Sequence, residues 1–115
     1  MTEQPNPLHR IRIIHDPDLQ YEKHRHAVQP GHQYLKAGDK VIFKTMRTAA
    51  RIFFPKAEEL FVEQKGHWIS VDENGQSDPL TIKECPHGKY AYVAYCSNGE
   101  DFAEGGTSPR IIVEG

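Results

Sequence analysis

Apolar and polar positions alternate along this chain in short stretches. No stretch keeps a 3.6-residue period long enough to predict a helix of ordinary globular length. Ile11 and Ile13 alternate with Arg10 and Arg12, as a half-buried strand requires, and Val41 and Phe43 alternate with Lys40, Ile42 and Lys44. Trp68-Ile69-Ser70-Val71 and the pair Leu80, Ile82 continue the pattern. Parity is cleanest from Tyr90 to Cys96, where Tyr90, Tyr92, Ala94 and Cys96 share one face and Ala91, Val93 and Tyr95 the other. A last strand is predicted from Arg110 to Glu114. Ala50 to Phe54 is a short apolar run ended by Pro55, and residues 56–62 have room for one or two helical turns.

Turn residues punctuate these stretches. Pro30-Gly31, Gly38-Asp39 and Asp72-Glu73-Asn74-Gly75 each predict a change of direction. Pro86-His87-Gly88-Lys89 reads as a hairpin turn that would set Cys85 opposite Tyr90. Asp16 to Arg25 is polar with Pro17 inside it and reads as a loop, as does the Gly-rich, acidic stretch Ser97 to Ser108. Residues 1–8 read as a flexible polar tail, leaving residues 9–115 as a single domain. Short strands at this spacing predict an all-β, Greek-key sandwich.

Composition narrows the function classes. At 115 residues, 37% hydrophobic and 26% charged, the chain fits one globular domain with a core of its own. A formal charge of −2 argues against nucleic acid or an anionic membrane as partner. No apolar run approaches the roughly 20 residues needed to span a bilayer. The first seven residues lack a basic start followed by an apolar stretch, so a cytoplasmic location is expected, or a periplasmic one if a signal peptide was removed. In the expected hairpin, Cys85 and Cys96 lie too far apart to bridge, and both read as thiols suited to a reducing compartment.

Four segments in this order carry a family resemblance: Lys36-Ala37-Gly38-Asp39-Lys40-Val41-Ile42-Phe43-Lys44, Ile52-Phe53-Phe54-Pro55, Gly88-Lys89-Tyr90-Ala91-Tyr92-Val93-Ala94-Tyr95-Cys96, and Pro109 to Glu114. Over residues 34–115 the chain resembles the cupredoxins, the sandwiches that include plastocyanin and azurin. The resemblance implies a mononuclear copper held by two His, one Cys and a weak axial Met. It places Cys96 at the thiolate position. It puts Arg51, thirteen residues after Gly38, where the first His belongs. A guanidinium has no lone pair for a metal. The loop after Cys96 should bring the second His and the Met, and Ser97 to Thr107 contains neither. No cofactor is therefore expected, with copper as the alternative.

If Arg51 and Cys96 meet, the cation favours the thiolate, and the corner becomes a redox thiol or an anion-binding site. Alternatively Cys96 packs as a small apolar residue while Arg51 pairs with Asp101 or Glu104 to close the loop. The candidate corner is thus Arg51, Cys96, Asp101, Phe102 and Glu104, and no catalytic residue can be named. His24, His26 and His32 form an alternative metal set, since His24 and His26 share a face if extended. Aromatic residues in strands default to the core, with Phe61 and Phe102 expected at the surface. The resulting expectation is a non-catalytic binding domain for a protein or small-molecule partner. The alternatives are an electron carrier with an unconventional ligand set and a redox-active thiol protein using Cys96.

Overall fold

The computed structural model describes residues 8–15, 26–63, 66–84, 87–96, 101–103 and 109–114, with residues 26–27 and 101–103 described by backbone register alone. The expected 1–8 tail, apart from Leu8, and the Asp16–Arg25 loop lie outside the described residues. In chain order the elements are β1 (Leu8–His15), β2 (His26–Gln29), β3 (His32–Lys36), β4 (Lys40–Met46), β5 (Ala50–Phe53), α1 (Ala57–Leu60), β6 (Trp68–Val71), β7 (Leu80–Thr81), β8 (Gly88–Ala91), β9 (Val93–Cys96), β10 (Asp101–Ala103) and β11 (Arg110–Glu114). Among the described residues no helix is long and apolar enough to cross a membrane.

Three sheets result. The first has the order β2-β1-β4-β7, the second β10-β9-β5-β6 and the third β3-β11-β8. Only Tyr92 separates β8 from β9, so the second and third sheets are joined by one interrupted strand. Two of the pairings are parallel, β1 with β4 and β3 with β11. The expected all-β sandwich is observed, and its inward residues follow strand parity except in β4, where Ile42 is buried as well as Val41 and Phe43. Ile11 and Ile13 of β1 and Val41 and Phe43 of β4 join Ala50, Ile52, Ala94 and Cys96 of the second sheet in one buried cluster. Leu35, Ile111 and Val113 of the third complete it.

At its centre stand four aromatic rings. Phe54 stacks on Tyr92 with centroids 4.7 Å apart and planes at 26°. Phe61 and Phe43 meet Phe54 edge-on at 5.0 and 5.9 Å. Such pairs prefer offset or T-shaped arrangements because the ring face is negative and its edge positive. Phe61 is fully buried, which corrects the expectation that it is exposed. The reason is local: the backbone changes from helical to extended at Phe61, and that residue pairs with Ile82. Val62 N–H then donates to Thr81 O, and Lys83 N–H to Leu60 O. Glu63 secures this segment, accepting from the Thr81 N–H and hydroxyl at 2.8 Å each.

The Gly38-Asp39 corner forms as expected. Gly38 takes a φ of 90°, and the Asp39 carboxylate accepts the Lys36 N–H at 3.0 Å. The turn at residues 72–75 closes by Gly75 N–H donating to Asp72 O at 3.0 Å, with Asn74 at a φ of 53°. Residues 32–36, between the Pro30-Gly31 and Gly38-Asp39 turns, form a strand because β11 pairs along them. Other expectations are corrected. The strands on either side of Pro86 do not pair as the expected hairpin requires: β7 pairs with β4 in the first sheet, and β8 with β11 in the third, where Tyr90 faces Ile111. Cys85 and Pro86 lie outside the described residues. The stretch read as one long loop after Cys96 contains β10, an edge strand on β9.

Candidate functional site

The expected corner lies where β5, β9 and β10 run side by side. The β5–β9 register pairs Ala50 with Cys96, Arg51 with Tyr95, Ile52 with Ala94 and Phe53 with Val93. Residues directly opposite in an antiparallel pair share a face. Ala50 and Cys96, 2% and 0% exposed, therefore point into the sandwich, while Arg51 leaves the sheet with Tyr95 on its outer side. This removes the alternative in which Arg51 meets the thiol and agrees with the one in which Cys96 packs as a small apolar residue. Counting along a strand to within one residue is not enough, because one step moves a side chain to the other face.

The cross-strand neighbour of Cys96 on β5 is thus Ala50, and its neighbour on β10 is Asp101. A methyl group donates nothing to a metal. Residues 97–108 contain no His, Cys or Met, and among the described residues no three of His, Cys, Asp and Glu are close enough to hold an ion. The residues present do not fit a two-His, Cys, Met copper set. The thiol itself is sealed, and a nucleophilic or redox-sensing cysteine needs solvent access as well as a stabilised thiolate.

Phe102 is the register partner of Tyr95, and Glu104 lies outside the described residues, as does His24. Of the alternative metal set, His26 belongs to β2 in the first sheet and His32 is an exposed residue of β3 in the third.

The outer face of the second sheet has a different chemistry. Its rows, read across β9, β5 and β6, are Tyr95–Arg51–Ser70 and Val93–Phe53–Trp68. Trp68 is 47% exposed and Val93 42%. The Arg51 guanidinium carbon stands 4.5 Å from the centroid of the Trp68 ring, within cation–π range. Phe53 also approaches Trp68 at 5.0 Å and His67 at 5.7 Å. The His67 ring is fixed in turn by a 3.0 Å contact from Nδ1 to Phe54 O. An exposed indole, two further aromatic rings, a valine and one guanidinium form a continuous patch. Among the described residues of these two rows none is acidic.

Sequence reasoning assigned Phe53 and Trp68 to the core, and the structure sets both on this outer face. The signal was present in the parity of Trp68-Ile69-Ser70-Val71. Ile69 and Val71 are the apolar residues of one face there, which leaves Trp68 with Ser70 on the other.

No family model and no curated protein matches the chain. Solved structures do. A purple cupredoxin from Nitrosopumilus maritimus superposes with a TM-score of 0.54 at 12% identity, covering 92% of this chain and 99% of that one. An oxidized amicyanin mutant gives 0.46 at 18% identity, covering 73% and 70%. A Cu(I) form of another amicyanin mutant gives 0.47 at 14%, covering 98% and 86%. The fold is cupredoxin-like.

Proposed function

We propose that this chain is a non-catalytic binding domain that uses the outer face of β10-β9-β5-β6 to hold a protein partner. One observation carries the reading: Trp68, half exposed on a regular sheet face, touches both Phe53 and the Arg51 guanidinium. Trp, Tyr and Arg supply most of the energy at protein contacts: the aromatic pair bury large area with few rotatable bonds, and arginine adds a planar, charged donor. Tyr95 and Val93 extend the patch, and burying an exposed side chain of this size is worth about 1.5–3 kcal/mol. With Arg51 as the charge of these rows, the partner surface is apolar and carries a carboxylate beside the Arg51 position.

The absence of a fitting donor set around Cys96 among the described residues supports a role other than copper electron transfer, and the buried thiol speaks against thiol chemistry. We place the domain in the cytoplasm, where its cysteines need not bridge.

The test begins with capture on immobilised protein, followed by identification and purification of the captured partner. Affinity is then measured for wild type, Trp68→Ala, Arg51→Glu and the opposite-sheet control Tyr34→Ala. Trp68→Ala is expected to weaken binding at least tenfold. Arg51→Glu should do so by a slower association that loses its salt dependence. Tyr34→Ala should bind as wild type. A partner that binds all four proteins equally would refute this face.

A further inference from the structure

We propose a second, independent site: a cavity between the β5–α1 corner and β8 that binds a small aromatic carboxylate. The cavity measures about 240 Å³ and is lined by Phe54, Pro55, Lys56, Lys89, Tyr90 and Ala91. Phe54 and Tyr90 are both buried, so they form its apolar floor, and Pro55 and Ala91 add apolar wall. A dry cavity of about 150 Å³ holds benzene, whereas drug-sized ligands need roughly 300 Å³ or more. The volume here fits one aromatic ring with a small substituent.

The charge of that substituent follows from the rim. Lys56 comes from the corner after β5 and Lys89 from β8, so two separate segments each place a lysine side chain in the cavity wall. Neither has an ion-pair partner among the described residues. Lys83, near the same short helix, differs: its Nζ donates to Glu58 O at 2.7 Å. Two like charges beside an apolar hollow favour an anion whose ring fills the hollow while its carboxylate stays at the mouth.

The floor is built before any ligand arrives. Phe54 is held by Tyr92, Phe61 and Phe43, so ordering it adds little cost on binding. A neutral ring would gain the floor without the rim, and acetate the rim without the floor.

The experiment uses benzoate as probe, with benzyl alcohol and acetate as controls, followed by amide chemical shifts of the ¹⁵N-labelled protein. Benzoate is expected to give saturable shifts centred on Lys56 and Lys89 to Ala91, at least tenfold tighter than either control. The double variant Lys56→Gln, Lys89→Gln should lose that advantage while keeping the response to benzyl alcohol. Ala91→Leu, which fills the cavity from its exposed strand, should abolish both. Arg51→Glu should bind benzoate as wild type, which separates this site from the partner-binding face. Equal binding of benzoate and benzyl alcohol, undiminished binding by the double variant, or shifts centred elsewhere would overturn the proposal.

Discussion

Tyr92 offers the sharpest energetic test, because one buried atom can be removed without disturbing shape. Its ring is 1% exposed and packs against Phe54 and Phe43, but its hydroxyl has no hydrogen-bond partner among the described residues. A hydroxyl taken from water and left unpaired costs roughly 1–3 kcal/mol. Tyr92→Phe deletes only that oxygen, so it should stabilise the domain by about 1–2 kcal/mol. Unfolding entropy of about 2 cal/mol/K per residue gives a domain of this length about 0.24 kcal/mol/K. The melting temperature should therefore rise by about 4–8 °C. In urea, the midpoint should move up with an unchanged m-value, since the surface exposed on unfolding is the same. Tyr92→Ala should act oppositely, costing about 3–5 kcal/mol through the lost ring contacts.

The same substitution has a pH signature. Burial pushes the Tyr92 phenol well above its ordinary value. A folded pKa raised above the unfolded one means that the stabilising difference is full below about pH 10 and is lost as pH rises. Phenylalanine has no proton to lose. The advantage of Tyr92→Phe should accordingly grow by about 1.4 kcal/mol between pH 8 and pH 11. A variant less stable than wild type at neutral pH, or a gap that stays flat in alkali, would show that the hydroxyl has a partner and that the reasoning is wrong.

Glu63 should report on acid. Burial works to raise its pKa, but the two hydrogen bonds from Thr81 outweigh it, helped by Lys40, and hold the carboxyl below its ordinary value. A depressed folded pKa gives stability that is present above about pH 4.5 and disappears as pH falls further. Glu63→Gln should therefore cost about 0.5–1 kcal/mol at pH 7 and almost nothing near pH 3 in urea titrations, the group being largely exposed. Cys96, fully buried, should be alkylated only at the rate of global unfolding rather than at that of an accessible thiol. Cys96→Ser should cost about 1–3 kcal/mol by burying a hydroxyl, read as a lower urea midpoint; fast alkylation of the native protein would restore the redox reading.

The parity of the strands was legible in the sequence, and with it the sandwich. Tyr90, Tyr92, Ala94 and Cys96 are inward as their spacing required, and Gly38 and Asn74 bend the chain where turn residues stood. What escaped was everything that depends on which strand lies beside which. Arg51 was placed by counting from Gly38, whereas its face is fixed by the β5–β9 register, which no local pattern contains. Phe61 looked exposed among charged neighbours because its burial comes from pairing with Ile82, twenty-one positions on. Trp68 was assigned inward by residue type although its own strand's alternation pointed it outward. Type preference yielded to periodicity there, since a large aromatic is stable on an outer face when a neighbouring ring and a guanidinium shelter it.

The position of β11 bears on how the molecule is made. Last of the strands in chain order, it is the middle one of its sheet, parallel to β3 and antiparallel to β8. A ribosome therefore releases β3 and β8 long before the strand that joins them exists. Until residue 114 has emerged, two bare edges wait with unmet amide groups, the condition in which nascent chains bind chaperones or one another. Pairings across so much intervening sequence also form slowly, so assembly should take milliseconds to seconds rather than microseconds.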